Sequence, residues 1–247
     1  MELSFWAKTS GTWINAAAVL LGSAIGVFLH GRVPLKLRRT VVQGVGLVTI
    51  FIGFSMAKAV GEVKAGPIEG VIIALLAMAV GGALGEALGI EEAIERLGER
   101  IKRAVKGGGS FTEGFVTASV LFCVGPMTLI GAFNNGLLGD PSLLLVKSAL
   151  DGISSIALAA SLGVGVAASV VVVLGYQLSL SLLAASLAAF IPDPATDPRV
   201  LIATGVGGLM VIGVGLNLVE ATRVRVAAFL PALVFAPLLW ALLARLV

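Results

Sequence analysis

Long apolar runs recur along the whole chain, and they constrain it more than any other feature. Stretches near 13–29, 41–60, 68–88, 114–133, 142–162, 165–190, 200–219 and 226–246 are almost free of charge. Each approaches the roughly 20 apolar residues that carry a helix across a bilayer. In hydrocarbon no water serves the backbone, so only helices and closed barrels can span. A barrel would alternate apolar and polar residues in segments of about ten, and these runs do not. The expected fold is an all-α integral membrane protein with about eight transmembrane helices. Composition agrees: 13% of the residues are charged, against roughly 25% in soluble domains.

Two boundaries need argument. Thr12 to Leu29 has the length of a signal-peptide core, but only Lys8 flanks it and "HGRVPLKLRR" follows where a small-residue cleavage site would stand. It reads as a retained first span. Between the fifth and sixth runs only the glycine-rich "SLGVGVAA" intervenes, and a merged helix there would leave seven spans.

Orientation follows from Lys and Arg in short loops. Arg32, Lys36, Arg38 and Arg39 fall in one loop; Arg96, Arg100, Lys102, Arg103 and Lys106 in another; Arg223 and Arg225 in a third. With eight spans these loops share a side, expected to be cytoplasmic, with both termini outside. Loop 89–113 contains its own helix. Ile90, Ala93, Ile94, Leu97, Ile101 and Val105 recur at helical spacing. Glu91, Glu92 and Glu95 open it and Arg100, Lys102 and Arg103 close it, which suits the helix dipole. Glu92–Arg96 and Glu99–Arg103 are potential i,i+4 pairs. Such a helix lies on the cytoplasmic membrane surface or serves as a solvated connector; "KGGGS" then forms a flexible break.

The sequence repeats itself. "GLVTIFIGFSM" from Gly46 aligns without a gap on "GLMVIGVGLNL" from Gly208. The same offset sets "LLGSAIGVFL" from Leu20 against "LLAASLAAFI" from Leu182, Asn15 against Gln177, and the third span against the eighth. Five spans separate the two starts, so the halves would be inverted, an arrangement that recurs in transporters. Convergence of similar membrane helices is the alternative. The expected organisation is a single membrane domain, 1–247: a first repeat half 1–88, the cytoplasmic helix and break 89–113, a central segment 114–164, and a second repeat half 165–247.

Polar residues inside the spans carry the functional reading. Lys147 and Asp151 are i,i+4 neighbours in the fifth span. Asp151 lies roughly 12 Å past the start of that helix, too deep to snorkel, where a charge costs a few kcal/mol unless paired or wet. Lys147 could pair with it or reach the interface. Just before them stands "GPMTLIGAFNNGLLGDP", rich in residues that break helices. It reads as a broken helix running into a capped one, with Asp140 and Ser142 at the cap and Pro141 at the first position; a kinked helix followed by an outer turn is the alternative. The candidate site residues are Asn134, Asn135, Asp140, Lys147, Asp151, Thr128, Ser154, Asn15 and Asn217. Gln43, Ser155 and Gln177 are further intramembrane polar residues, each as able to join helices as to hold a ligand. Small-residue spacings at Gly22–Gly26 and Gly81–Gly85 point to close packing, within the chain or between subunits.

Several chemistries are excluded. One histidine, His30, and one cysteine, Cys123, leave no histidine triad and no thiolate cluster within one chain. There is no P-loop, and "GVGVAA" lacks the βαβ setting of a dinucleotide fingerprint. "GLLGD" has the wrong spacing for intramembrane aspartyl proteases, so proteolysis by Asp140 and Asp151 is only a distant alternative. No enzyme and no cofactor is expected; a metal remains an open question.

The chain resembles the YqgA/YdfK family of bacterial inner-membrane proteins, a group classed as a domain of unknown function. The resemblance rests on "GTWINAAAVLLGSAIG", "GALGEALGIEEAIERLG", "FTEGFVTASVLFCVGPM", "GLLGDPSLLLVKSALDGISSI" and "LPALVFAPLL". Where the family typically reads Gln-Asp, this chain has Asn134 and Asn135, so a mechanism needing an acid at 135 is not implied. The resemblance implies a multi-pass membrane protein with a transport role and no particular substrate. The expected function is transport of a small solute or ion through a polar site at the broken helix. The alternatives are a structural or regulatory membrane protein, or an ion channel. The expected partners are the bilayer, the transported species and a second copy of the chain, with no nucleic acid.

Overall fold

The computed structural model describes residues 3–30, 34–104, 110–123, 126–188 and 196–246. Eleven α-helices occur among them: α1 (Phe5–Leu29), α2 (Leu35–Ala57), α3 (Gly70–Ala87), α4 (Ile90–Ala104), α5 (Phe111–Cys123), α6 (Pro126–Leu138), α7 (Ser142–Leu162), α8 (Gly165–Ala168), α9 (Val170–Ala188), α10 (Pro198–Leu218) and α11 (Ala232–Leu246). The strands are two residues long, Lys64–Ala65 paired antiparallel with Ile68–Glu69. The protein is an all-α membrane protein. Among the described residues seven helical segments are long and apolar enough to span, and the bent pair α5–α6 makes an eighth if it counts as one crossing. Phe51, Leu21 and Ile153 stay about 70% exposed, at 71%, 67% and 68%, as side chains facing lipid would.

The fifth and sixth runs are separate helices. Gly163 ends α7 at φ 79, a left-handed conformation that favours glycine, and α8 forms a short step before α9. The fourth run is the one that breaks. Its halves meet at 60°, with Val124 and Gly125 at the junction outside the described residues.

The chain packs as two compact units, residues 1–45 with 96–192 and residues 46–95 with 193–247. In the first, α1 and α7 touch along their whole length. Gly11 meets Leu144, Gly22 meets Gly152 and Ser155, and Gly26 meets Ile156 and Ala159. His30 Nδ1 lies 3.0 Å from the Ala160 carbonyl oxygen. Residue numbers rise together, so the two helices run parallel. Two parallel spans need an odd number of crossings between them. With α2 and α3 as two, the bent pair α5–α6 supplies the third. In the same unit Gly114 packs on Leu162 near the end of α7 and Gly131 packs on Leu144 near its start, so α5–α6 runs antiparallel to α7.

In the second unit, Val60, Val63, Ile73, Ala77, Ile202, Val206 and Ala232 form a buried core. Gly81 packs on Ala232 and Gly85 on Ala228. The α2–α10 contact is reciprocal. A Cβ at Gly46 would meet Leu218, Val219 and the Gly215 carbonyl; one at Gly208 would meet Met56, Ala57 and the Gly53 carbonyl. A Cβ at Gly53 would meet Ile212, and one at Gly215 would meet Ile50. Each contact maps onto its mate under the sequence offset that aligns Gly46 with Gly208. Both partners of each aligned pair lie in the same unit: α1 with α9 in the first, most of α2 with α10, and α3 with α11, in the second.

The helix α4 forms as expected, but of its predicted apolar face the side chains of Ile94, Leu97 and Ile101, and the whole of Val105, fall outside what the structure describes. Its acids find tertiary partners. Arg225 pairs with Glu86 and Glu92, the Glu92 contact being the main reason its pKa is raised. The Ala228 N–H donates to Glu91 (3.2 Å) and the Thr112 hydroxyl to Glu99 (2.6 Å). The "KGGGS" break lies largely outside the described residues.

Candidate functional site

The centre of the first unit is a buried ion pair. Lys147 and Asp151, one turn apart on α7, are 6% and 7% exposed, and Lys147 Nζ donates to Asp151 Oδ2. Asn15 Nδ2 of α1 donates to the same oxygen at 3.1 Å. The parallel α1–α7 packing makes this contact possible, because glycines at 11, 22 and 26 let the helices approach closely enough for a short amide to reach across. Lys147 Nζ also stands 6.0 Å from the centre of the Phe122 ring, at the outer limit of a cation–π contact. At this depth a lone charge would be costly; the pair, the amide and the ring share that cost.

The broken span meets α7 at this level. The freed Phe122 carbonyl, near the end of α5, accepts from the Thr128 hydroxyl of α6 at 3.3 Å. Thr128 therefore re-satisfies backbone that the break exposes, as irregular membrane backbone requires. Cys123, buried at the same place, lies within electrostatic reach of Lys147 and Asp151.

Other candidate residues are committed elsewhere. Asn135 is wholly buried; its Oδ1 accepts from the Gly11 N–H (2.9 Å) and its Nδ2 donates to the Ala7 carbonyl (2.8 Å) and Ser10 Oγ (3.4 Å). Ala7 and Gly11 are i,i+4 partners, so the amide straddles one rung of α1 and clamps α6 to it. Asn217 belongs to the second unit, where its amide bonds both the N–H and the carbonyl of Val224 at 2.7 and 2.8 Å. Asp140, expected to line the site, is instead exposed and caps α7. It accepts from the Ser142 hydroxyl (2.5 Å) and N–H (2.9 Å), and these bonds hold its carboxyl below the usual range. Pro141, expected in the first turn, stands just before α7. Asn134 and Ser154 are half-buried.

The sequence reading named Asn15 and Gln177 but passed over Thr12, Ser119 and Ser181. Thr12 Oγ1, Asn15 Oδ1, Ser119 Oγ, Ser181 Oγ and both amide atoms of Gln177 are buried without a hydrogen-bond partner. Their signal was spacing: Thr12 lies one turn from Asn15, and Ser181 one turn from Gln177. Buried polar groups nearly always have partners, so these atoms mark places where water or a ligand belongs. Among the described residues no group of three His, Cys, Asp or Glu could hold a metal.

The profile of a family described as "Protein of unknown function (DUF554)" matches residues 10–241. The uncharacterized protein YqgA of Escherichia coli is 32% identical over 230 residues, covering 92% of this chain and 94% of that protein. The uncharacterized membrane protein YdfK of Bacillus subtilis is 27% identical over 227 residues, covering 92% of this chain and 93% of that one. No solved structure matches.

Proposed function

We propose a transport function for this chain, which belongs to the DUF554 family: it carries a small solute or ion across the bacterial inner membrane. The observation that carries the reading is the Lys147–Asp151 pair, buried at mid-span with Asn15 beside the bend of a broken helix. A pair of charges can be replaced by apolar side chains at little or no cost in stability, so stability alone is a weak reason for one here, and ionisable residues within membranes commonly mark substrate pathways. The reciprocal α2–α10 contact supports an inverted repeat of spans 1–3 and 6–8, the architecture of many carriers. Positive residues on one side support a cytoplasmic α4 and outer termini. The bilayer and the carried species are the proposed partners. The small-residue faces at Gly22, Gly26, Gly81 and Gly85 are used within the chain, so a homo-oligomer would need another surface.

A structural role is the second reading, favoured by the commitment of Asn135 and Asn217 to backbone. Uptake assays in proteoliposomes over alkali cations, halides and amino acids separate the two. Transport predicts uptake above empty liposomes for at least one class, abolished by Asp151→Asn. No uptake in any class by well-folded protein supports the structural role.

A further inference from the structure

We propose that the groove where α1 and α7 end and α2 begins holds one anionic phospholipid, its acyl chain along the groove and its phosphate at the start of α2. This goes beyond the transport reading and asks nothing of it.

The groove lies wholly within the first unit. Leu29 of α1, Leu37 and Val41 of α2, and Ile153, Ala157 and Ser161 of α7 line a space of about 390 Å³. Because α1 and α7 run parallel, Leu29 and Ser161 mark the same end of both helices, and α2 starts there. Ile153, Ala157 and Ser161 recur every four residues, so they form one face of α7. At Gly22 and Gly26 that helix and α1 touch backbone to side chain. Against α2 the gap stays open, and Ile153, Leu37 and Val41 stay exposed in it.

One lining atom is out of place in an apolar groove. Ser161 is 2% exposed, and its Oγ has no hydrogen-bond partner. Buried hydroxyls nearly always have one. In the same helix Ser148 and Ser155 donate to the carbonyls of Leu144 and Asp151, one turn back, and Ser161 does not. An ester or phosphate oxygen of a lipid would supply the missing acceptor.

The mouth of the groove is positive. Lys36 is exposed in the first turn of α2, where the helix dipole disfavours a cation, and that turn contains no acid. Arg32, Arg38 and Arg39 belong to the same stretch of sequence, and no Asp or Glu occurs between Glu2 and Glu62. On the rim, His30 Nδ1 donates to the carbonyl of Ala160, itself a lining residue. Cations at a helix start are favourable when an anion sits there, because the free backbone N–H groups and the ammonium then face one phosphate.

Charge and polarity select the occupant. Basic residues at the end of a span attract anionic lipid headgroups. A two-fold contact with a second copy would set the same cations against each other. A free anion would leave the apolar groove unfilled.

The test uses the purified chain in neutral detergent, with phosphatidylglycerol, phosphatidylcholine or inorganic phosphate added. Thermal stability and the number of lipids retained in native mass spectrometry are the readouts. Phosphatidylglycerol should raise Tm saturably and leave one lipid per chain; the other two should do little. Lys36→Glu places an acid where the helix dipole favours one, so it should fold, and it should raise the half-saturating lipid fraction about fivefold or more. Ser161→Ala removes an unpartnered hydroxyl, so it should also fold and should weaken retention. Ala157→Phe fills the groove and should lose the lipid response. Lys8→Gln, at the far end of α1, should keep it. Equal responses to the two lipids, stabilisation by phosphate alone, or a dimer in place of the lipid-bound chain overturns the site. So does a phosphatidylglycerol effect that survives both Lys36→Glu and Ser161→Ala unchanged.

Discussion

Gly53 and Gly208 face each other across the α2–α10 contact: a Cβ on Gly208 would stand 2.7 Å from the Gly53 carbonyl oxygen, and one on Gly53 would stand 2.8 Å from the Gly208 carbonyl oxygen. Gly46 and Gly215 repeat the relationship at 3.1 and 2.8 Å. Small residues that let backbones touch are a major source of helix association in lipid. Gly53→Leu and Gly208→Leu should therefore each destabilise by about 1–3 kcal/mol, the usual cost of overpacking, and by similar amounts because the positions are equivalent. Thermal unfolding in detergent measures this. A large cost at one site and none at the other would count against a two-fold relation.

Asp197 caps α10. Its Oδ1 accepts from the Arg199 N–H (2.8 Å) and Nε (2.9 Å), and Oδ2 from Nη2 (2.6 Å). The Arg199 side chain is the main cause of a lowered Asp197 pKa. A carboxyl with a lowered folded pKa contributes stability above its unfolded pKa and loses it as pH falls through the folded value. Asp197→Ala should cost about 1 kcal/mol at neutral pH, and the difference from wild type should vanish in acid below that value. A pH-independent difference would contradict the charged-cap account.

Asn135 should behave as a clamp rather than a ligand. Asn135→Ala removes the amide's bonds to Ala7, Ser10 and Gly11 of α1, so it should lower stability by about 1–3 kcal/mol. Any transport per folded molecule should be nearly unchanged. Full stability with lost uptake would return Asn135 to the site.

The parallel α1–α7 pair requires the bent span to cross the membrane, and the positive loops face the cytoplasm in the proposed orientation. A single cysteine at position 99 in a Cys123-free background should resist impermeant thiol reagents in intact cells and react after permeabilisation. Labelling from outside would overturn the orientation.

How legible was this in the sequence? The spans were, because twenty apolar residues have few other uses. The Lys147–Asp151 pair was, because i,i+4 spacing fixes adjacency on one helix, and the break was, because Gly125-Pro126 interrupts a helix wherever it occurs. The Asn15–Asp151 bond was not, since it joins residues 136 positions apart and depends on α1 and α7 running side by side. For the same reason Asn135 looked like a ligand until its α1 partners were visible. Glu92 sits at helical spacing from Arg96, yet tertiary packing brings it Arg225. The repeated glycines were readable as a pattern, but their reciprocal contact is a property of the packed helices.

The most direct test of the transport account measures stability and uptake on the same preparations of wild type, Asp151→Asn and the double variant Lys147→Met with Asp151→Leu. Uptake uses whichever ion or solute wild-type liposomes accumulate. Breaking a buried pair costs about 3–5 kcal/mol, while replacing both partners with apolar residues is often neutral. The account predicts that the double variant regains wild-type stability and still carries nothing. Uptake by the double variant at the wild-type rate would contradict it, because Lys147 and Asp151 would then hold the helices together without touching what is carried.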